Sequence, residues 1–196
     1  MELLLPVTCA GCGVPGAVLC PRCGAAWRAT PQRVSVDVDF PVWSLSPYNG
    51  PHRAVLIAMK ERGRRDVVAH VGAVIRASIS HLAARGEVEH DITLVPAPTR
   101  DRSRRRRGGD PVERVCAATR LSTHPSLRIP SRKPDSVGLG AEERRRSMRV
   151  ELLRVPPSPV LLIDDVVTTG ATLQASANSL RTAGVLVRGA LTYCHA

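Results

Sequence analysis

Two groups of residues in this 196-residue chain have types and spacings that could do chemistry. The first is the run Val160-Leu161-Leu162-Ile163-Asp164-Asp165-Val166-Val167-Thr168-Thr169-Gly170-Ala171-Thr172-Leu173. Its apolar start reads as a buried strand, the acidic pair stands at the strand's carboxyl end, and a Thr/Gly turn leads into a helix. Ligands of open α/β sheets bind outside the carboxyl ends of the strands, so chemistry is expected here. The turn presents successive backbone N–H groups and Thr hydroxyls at a helix N-terminus, which suits a phosphate dianion. Gly170 lets the backbone approach closely. Two carboxylates beside that phosphate would repel it, so Asp164 and Asp165 must face vicinal hydroxyls or a divalent cation. A ribose 5-phosphate satisfies both halves at once. No Gly-Lys-[Ser/Thr] ending is present, which excludes a nucleotide-triphosphate P-loop.

The second group is Cys9-x2-Cys12 and Cys20-x2-Cys23, with seven residues between the pairs and Gly11, Gly13, Pro15, Gly16, Pro21 and Gly24 as turn formers. Each Cys-x2-Cys pair can wrap a tight turn around one tetrahedral ion, and two such knuckles complete a four-thiolate site. Roughly thirty residues bury too little apolar surface to fold alone. Bound zinc would supply the folding energy, roughly 10–16 kcal/mol in isolated peptides. With all four positions filled by protein, the Zn2+ is structural; an iron–sulfur cluster or a redox dithiol are the alternatives that the spacing leaves open. Arg22 and Arg28 are placed to offset the thiolate charge. Cys116 and Cys194 fall on apolar faces and read as packing residues.

These residues need elements to hold them. Residues 1–30 read as the zinc-binding knuckle and 31–196 as the main domain, with a junction from Ala29 to Arg33. Val34, Val36 and Val38 alternate as a strand, and Val42 to Leu45 forms a second. Pro51 to Lys60 reads as a short helix; Asp66 begins a longer one through Val67, Val71, Val74, Ile75 and Leu82. Asp91 to Val95 is a short buried strand stopped by Pro96 and Pro98. Asp110-Pro111 opens a helix, the Asp as N-cap and the Pro in the first turn. Residues 121–158 are poor in pattern, although Ala141 to Met148 fits a helix. Val160 to Ile163 is the most apolar strand, Leu173 to Ala183 the next helix, and Val185 to Tyr193 a closing strand. Strands alternating with helices predict an α/β domain with a mainly parallel sheet flanked by helices.

The formal charge is +11, and residues 100–149 hold 15 basic and 6 acidic side chains of the total. The excess is therefore a property of the middle segment, and 26 of the 28 bases are Arg. A locally basic surface prefers polyanions. Aromatic residues make up 3%, which argues against the stacking platforms of single-strand binders. No stretch reaches the apolar length needed to cross a bilayer, and the Leu3 to Val7 run lacks the basic leader of a secretory signal. A cytoplasmic location without membrane insertion is expected, and its reducing conditions favour metal ligation over disulfides.

The run from Val160 to Leu173 resembles the 5-phosphoribosyl-1-diphosphate (PRPP) binding signature of type I phosphoribosyltransferases. The knuckle with its four cysteines, Tyr48-x-Gly50, Lys60-x2-Gly63, Val95-Pro96-Ala97-Pro98, Arg104 to Gly108, Leu139, Glu143-Arg144 and the PRPP motif occur in the order found in the ComF family of competence-related proteins. The resemblance implies a type I phosphoribosyltransferase-like fold. By it, Asp164 and Asp165 hold the ribose hydroxyls, Thr168, Thr169, Gly170, Ala171 and Thr172 the 5-phosphate, and the loop with Pro96 and Ala97 the diphosphate side, with Mg2+ between. Val166 and Val167 complete the motif. Lys60 and Arg100 are the implied diphosphate partners. The chain departs from the family at Arg107-Gly108-Gly109-Asp110, where Arg-Gly-Phe-Asn is usual, near Ser136, where Gln is usual, and at Ser147, where Asn is common.

The resemblance leaves three functional readings. A PRPP-binding transferase would let an amine or other acceptor displace diphosphate, although no residue is assignable as a general base. An accessory protein of natural transformation would bind single-stranded DNA through Arg104, Arg105, Arg106 and Arg107 and meet DNA-uptake proteins. A regulator would sense PRPP without consuming it. The loop from Arg100 to Gly109, with six Arg in ten residues, reads equally as a lid over the diphosphate, a DNA contact strip or a solvated loop.

Overall fold

The computed structural model describes residues 7–99, 108–130 and 149–196. Arg100, Arg104 to Arg107, Ser136, Leu139, Glu143, Arg144, Ser147 and the helix expected at 141–148 lie outside these residues. In chain order the elements are α1 (Pro21–Trp27), β1 (Gln32–Arg33), β2 (Val42–Pro47), α2 (Gly50–Lys60), α3 (Val68–Ala84), β3 (Thr93–Pro96), α4 (Pro111–Ala118), β4 (Leu127–Arg128), β5 (Glu151–Leu152), β6 (Val160–Val167), α5 (Ala171–Thr182) and β7 (Val187–His195).

The central sheet has the order β1-β2-β7-β6-β3; β1 is antiparallel to β2 and every other neighbouring pair is parallel. Strands β4 and β5 make a separate antiparallel pair. The inner strands are nearly continuous in apolar residues because helices cover both faces of a parallel sheet. Leu161, Ile163, Leu191 and Tyr193 share one core with Val71 and Ile75 of α3 and with Val112 and Val115 of α4. Val160, Leu162 and Ala190 share the other with Leu173, Ala177 and Leu180 of α5. The protein is thus a mixed α/β structure with a mostly parallel sheet flanked by helices. Helix α3 buries Val71, Ile75, Ile79 and Leu82 at helical spacing. Helix α4 starts as its sequence predicts: Asp110 Oδ1 accepts the Val112 N–H at 2.8 Å and the Glu113 N–H at 3.4 Å, with Pro111 next in line.

Three elements differ from expectation. Val34 to Val38 forms no strand, because the Val38 N–H donates to the Val36 carbonyl at 2.8 Å and closes a tight local turn. Gln32 and Arg33 pair with β2 and the Val34 N–H adds one bond to the Val42 carbonyl at 2.9 Å, while the three valines pack on the α5-side core. Strand β6 continues past Ile163 to Val167, since β7 runs alongside it as far as His195. The β4–β5 pair had no foreseeable pattern. No helix among the described residues is long and apolar enough to cross a membrane. The cysteine segment does not stand apart from the body: Ala10 and Trp27 are buried in the same core as α2 and α3.

Candidate functional site

The unequal lengths of β3 and β6 build a crevice. Their pairing runs from Thr93↔Val160 to Pro96↔Ile163, and a last bond joins the Ala97 N–H to the Ile163 carbonyl at 2.8 Å. Beyond that point, among the described residues, β6 keeps only β7 beside it, through Asp164↔Thr192, Val166↔Cys194 and Val167↔His195. One edge of Asp164 to Val167 therefore opens where the strands part, with buried Pro96 and Ala97 as the opposite wall.

The two carboxylates in this edge are not equivalent. Asp164 Oδ1 accepts the N–H of Asp165 at 2.8 Å. Burial, reinforced by the neighbouring Asp165 charge, pushes Asp164 up to about 8, with Asp110 adding to the rise and Lys60 opposing it. Asp165 Oδ2 lies 2.5 Å from Lys60 Nζ, the last residue of α2. The Lys60 and Asp165 side chains are 24% and 16% exposed, so this pair is shielded more than a surface ion pair and its attraction is screened less. The resemblance implies Lys60 as a diphosphate partner; in the fold its ammonium meets Asp165. One ammonium shared between two carboxylates leaves acceptor capacity for hydroxyl donors or for a hard cation.

The turn that follows is exposed at Thr168 and Thr169 and half-buried at Ala171 and Thr172, while Val166 packs toward the α2-side core and Val167 into the α5-side core. The N-cap of helix α5 is Gly170, which has no side chain to offer the first N–H groups, and the Ala171 N–H is met instead by Thr169 Oγ1 at 3.4 Å. Gly170 has φ of 78°, and a Cβ there would stand 2.6 Å from Val38 Cγ1. The glycine thus answers first to the protein's own turn and to the 36–38 segment packed on it.

Two residues join this neighbourhood that sequence reading missed. Asp110 is buried and caps α4 while adding to the field at Asp164; the Asp-Pro pattern announced the cap but not the strand it would face. His195 stands in register with Val167, its Nδ1 buried and without a hydrogen-bond partner among the described residues.

At the other end of α2 lies the cysteine cluster. The four sulfurs of Cys9, Cys12, Cys20 and Cys23 are all within 4.8 Å of one another. A zinc tetrahedron with 2.3 Å bonds has sulfur–sulfur edges of about 3.8 Å, and Cys12 Sγ and Cys20 Sγ are 3.7 Å apart. Cys20 holds the N-cap position of α1 and Cys23 sits in its first turn. The opposite knuckle is closed by the Gly13 N–H to the Cys9 carbonyl and the Cys9 N–H to the Val14 carbonyl, both 2.8 Å. Burial raises the Cys9 thiol, but the N–H groups of Cys20, Cys12 and Gly11 outweigh it and hold Cys9 at about 6. Burial and the three neighbouring sulfurs push Cys23 up to about 12. Sulfurs this close cannot all be thiolates unless a cation neutralises them, so the donor set fits a metal ion. A cation unforeseen from the sequence also stands here: Arg64 Nη2 donates to the Thr8 carbonyl at 2.9 Å, and its charge interacts favourably with Cys9. Cys116 and Cys194 are buried packing residues, their thiols pushed up by burial.

No family model matches the chain, and no curated protein matches it.

Proposed function

We propose that the chain binds PRPP with Mg2+ in the crevice between β3 and β6, as a ComF-like protein with a type I phosphoribosyltransferase-like domain and structural Zn2+ on its four cysteines. The observation that carries this reading is the Asp164–Asp165 pair, which lies where β6 outruns β3, holds Lys60 through Asp165 and is followed by a Thr/Gly turn into a helix whose N-cap is Gly170. In the proposal, Asp164 and Asp165 accept hydrogen bonds from the ribose 2- and 3-hydroxyls, and the N–H groups and hydroxyls from Thr168 to Thr172 take the 5-phosphate. Pro96 and Ala97 line the diphosphate side. Lys60 would exchange Asp165 for the diphosphate as the ribose hydroxyls arrive. Mg2+ supplies neutralisation of the departing diphosphate charge, and carboxylate and phosphate oxygens are the hard donors it takes. The acceptor in the proposal is an amine or another nucleophile, and the resemblance implies a role in DNA uptake.

PRPP is expected to raise the melting temperature only when Mg2+ is present, and the double variant Asp164→Asn/Asp165→Asn to lose the response. An equal response in that variant would overturn the assignment. Diphosphate release across candidate amines then separates a transferase from a protein that senses PRPP without consuming it.

A further inference from the structure

Helix α2 is gripped at both ends by the cysteine segment. At its start, a Cβ on Gly11 would stand 2.8 Å from Cys23 Sγ and 3.5 Å from Pro51 Cβ, so the first knuckle, the second knuckle and the first turn of α2 meet at one point. One turn of α1 further on, the Trp27 ring stacks on buried His52 of α2 with centroids 4.7 Å apart. At the far end of α2, Arg64 makes the connection. Its backbone N–H donates to the Ala58 carbonyl at 3.0 Å, its Nη2 to the Thr8 carbonyl next to Cys9 at 2.9 Å, and its guanidinium pairs with Asp66 at 2.7 Å. Lys60 lies between these clamps, and its ammonium is the one that meets Asp165.

We infer that the metal-loaded cysteine cluster positions Lys60 for ligand binding in the β3–β6 crevice, with Arg64 as the positioning residue that transmits it. The physical chain is short. Metal binding orders the Cys9–Cys12 knuckle, which fixes the Thr8 carbonyl; that carbonyl holds Arg64, and Arg64 holds the turn that ends α2. Without the ion, four crowded sulfurs repel or protonate, the knuckle loses its shape, and the last turn of α2 loses its tie through Arg64. Helix ends fray first when such ties are lost. The metal site would then act on polyanion affinity from a distance, through a rigid helix and not through charge in the crevice.

The readout by PRPP rests on the proposed function, so two measurements are paired in the full-length chain. Hydrogen exchange compares the metal-loaded protein, the chelated protein and the metal-loaded Arg64→Ala variant. Amides in the last turn of α2 are expected to lose protection in both altered forms, by tenfold or more beyond any loss at β6. Calorimetry with PRPP and Mg2+ then follows a cycle. Arg64→Ala is expected to weaken binding five- to tenfold in the parent, by no more than twofold in a Lys60→Ala background, and Arg64→Lys to recover part of the loss. Equal losses in both backgrounds, or unchanged exchange at the end of α2, would overturn the inference. If the parent itself fails to bind PRPP, the functional proposal falls, and exchange alone decides whether the cluster holds α2. If chelation unfolds the chain, the loaded Arg64→Ala protein decides it.

Discussion

Asp164 sits where burial and a neighbouring carboxylate both disfavour its charge, and only Lys60 and one backbone N–H favour it. Its carboxyl is held near 8 in the folded chain against an ordinary 3.8. A raised acid releases its proton in the unfolded chain first. As pH climbs from about 4 to about 8, the unfolded state ionises while the folded state still holds the proton, so this residue withdraws stability across that window and adds no further slope above it. Asp164→Asn removes the effect. Urea unfolding of parent and variant, without divalent cations, should show the variant gaining on the parent steadily from pH 5 to pH 8. The difference between the two proteins isolates Asp164 from His52, whose charged form is disfavoured by burial. A constant difference would mean that Asp164 is ionised throughout, and that the crevice is wetter than its geometry implies. The stake is functional, since an acid that enters the crevice protonated must lose that proton before it can accept from two hydroxyls.

At the scale of elements, the crevice depends on where helices begin and strands stop. Asp110 both caps α4 and faces Asp164, and the two roles pull apart on substitution. Asp110→Ala removes a cap whose loss typically costs about 1 kcal/mol, whereas Asp110→Asn keeps an acceptor for the Val112 N–H and removes the charge. The first variant should lower the urea midpoint and the second should leave it nearly unchanged while bringing Asp164 down, read from the pH slope just described. Equal destabilisation by both would assign Asp110's value to its charge. The cap itself was legible in Asp110-Pro111, as were α3 and the passage from β6 through a Thr/Gly turn to α5, because each is written in local spacing. What was not legible depends on neighbours. The valines at 34, 36 and 38 alternate as a strand would, yet a strand also needs a partner edge, and β2 begins at Val42, where the Val34 N–H makes the last bond before the chain turns at Val36 to Val38. The length of β6 was set by β7 and the crevice by the earlier end of β3, both facts about pairing. The resemblance pointed to Lys60 as a site residue, but its partner Asp165 lies far from it in sequence and only the fold brings the two together. Arg64 carried no motif of its role, which arises only when Thr8 folds against it.

For the whole molecule, the question is whether the cysteine segment behaves as an appendage or as part of one cooperative body. Its sequence reads as a separate knuckle, but Ala10 and Trp27 belong to the core that also holds Val55, Ile75, Leu161 and Tyr193. Trp27 is fully buried and touches both His52 of α2 and Tyr193 of β7, the latter at 6.4 Å between rings. A side chain that large cannot leave its seat without opening the core around it, since truncating a buried Trp costs about 3–5 kcal/mol. Metal binding stabilises the folded state only, so its removal must lower the stability of whatever unfolds together with the cluster. In a chain of this size each kcal/mol moves the melting temperature by about 2–4 °C. Chelation under reducing conditions is therefore expected to shift a single calorimetric transition down by about 10 °C or more, with no separate low-temperature event. Two transitions, the larger unmoved, would show that the segment unfolds by itself and that Trp27 can depart without cost to the sheet. Trp27→Ala should mimic chelation in the loaded protein, because it cuts the same seam from the other side.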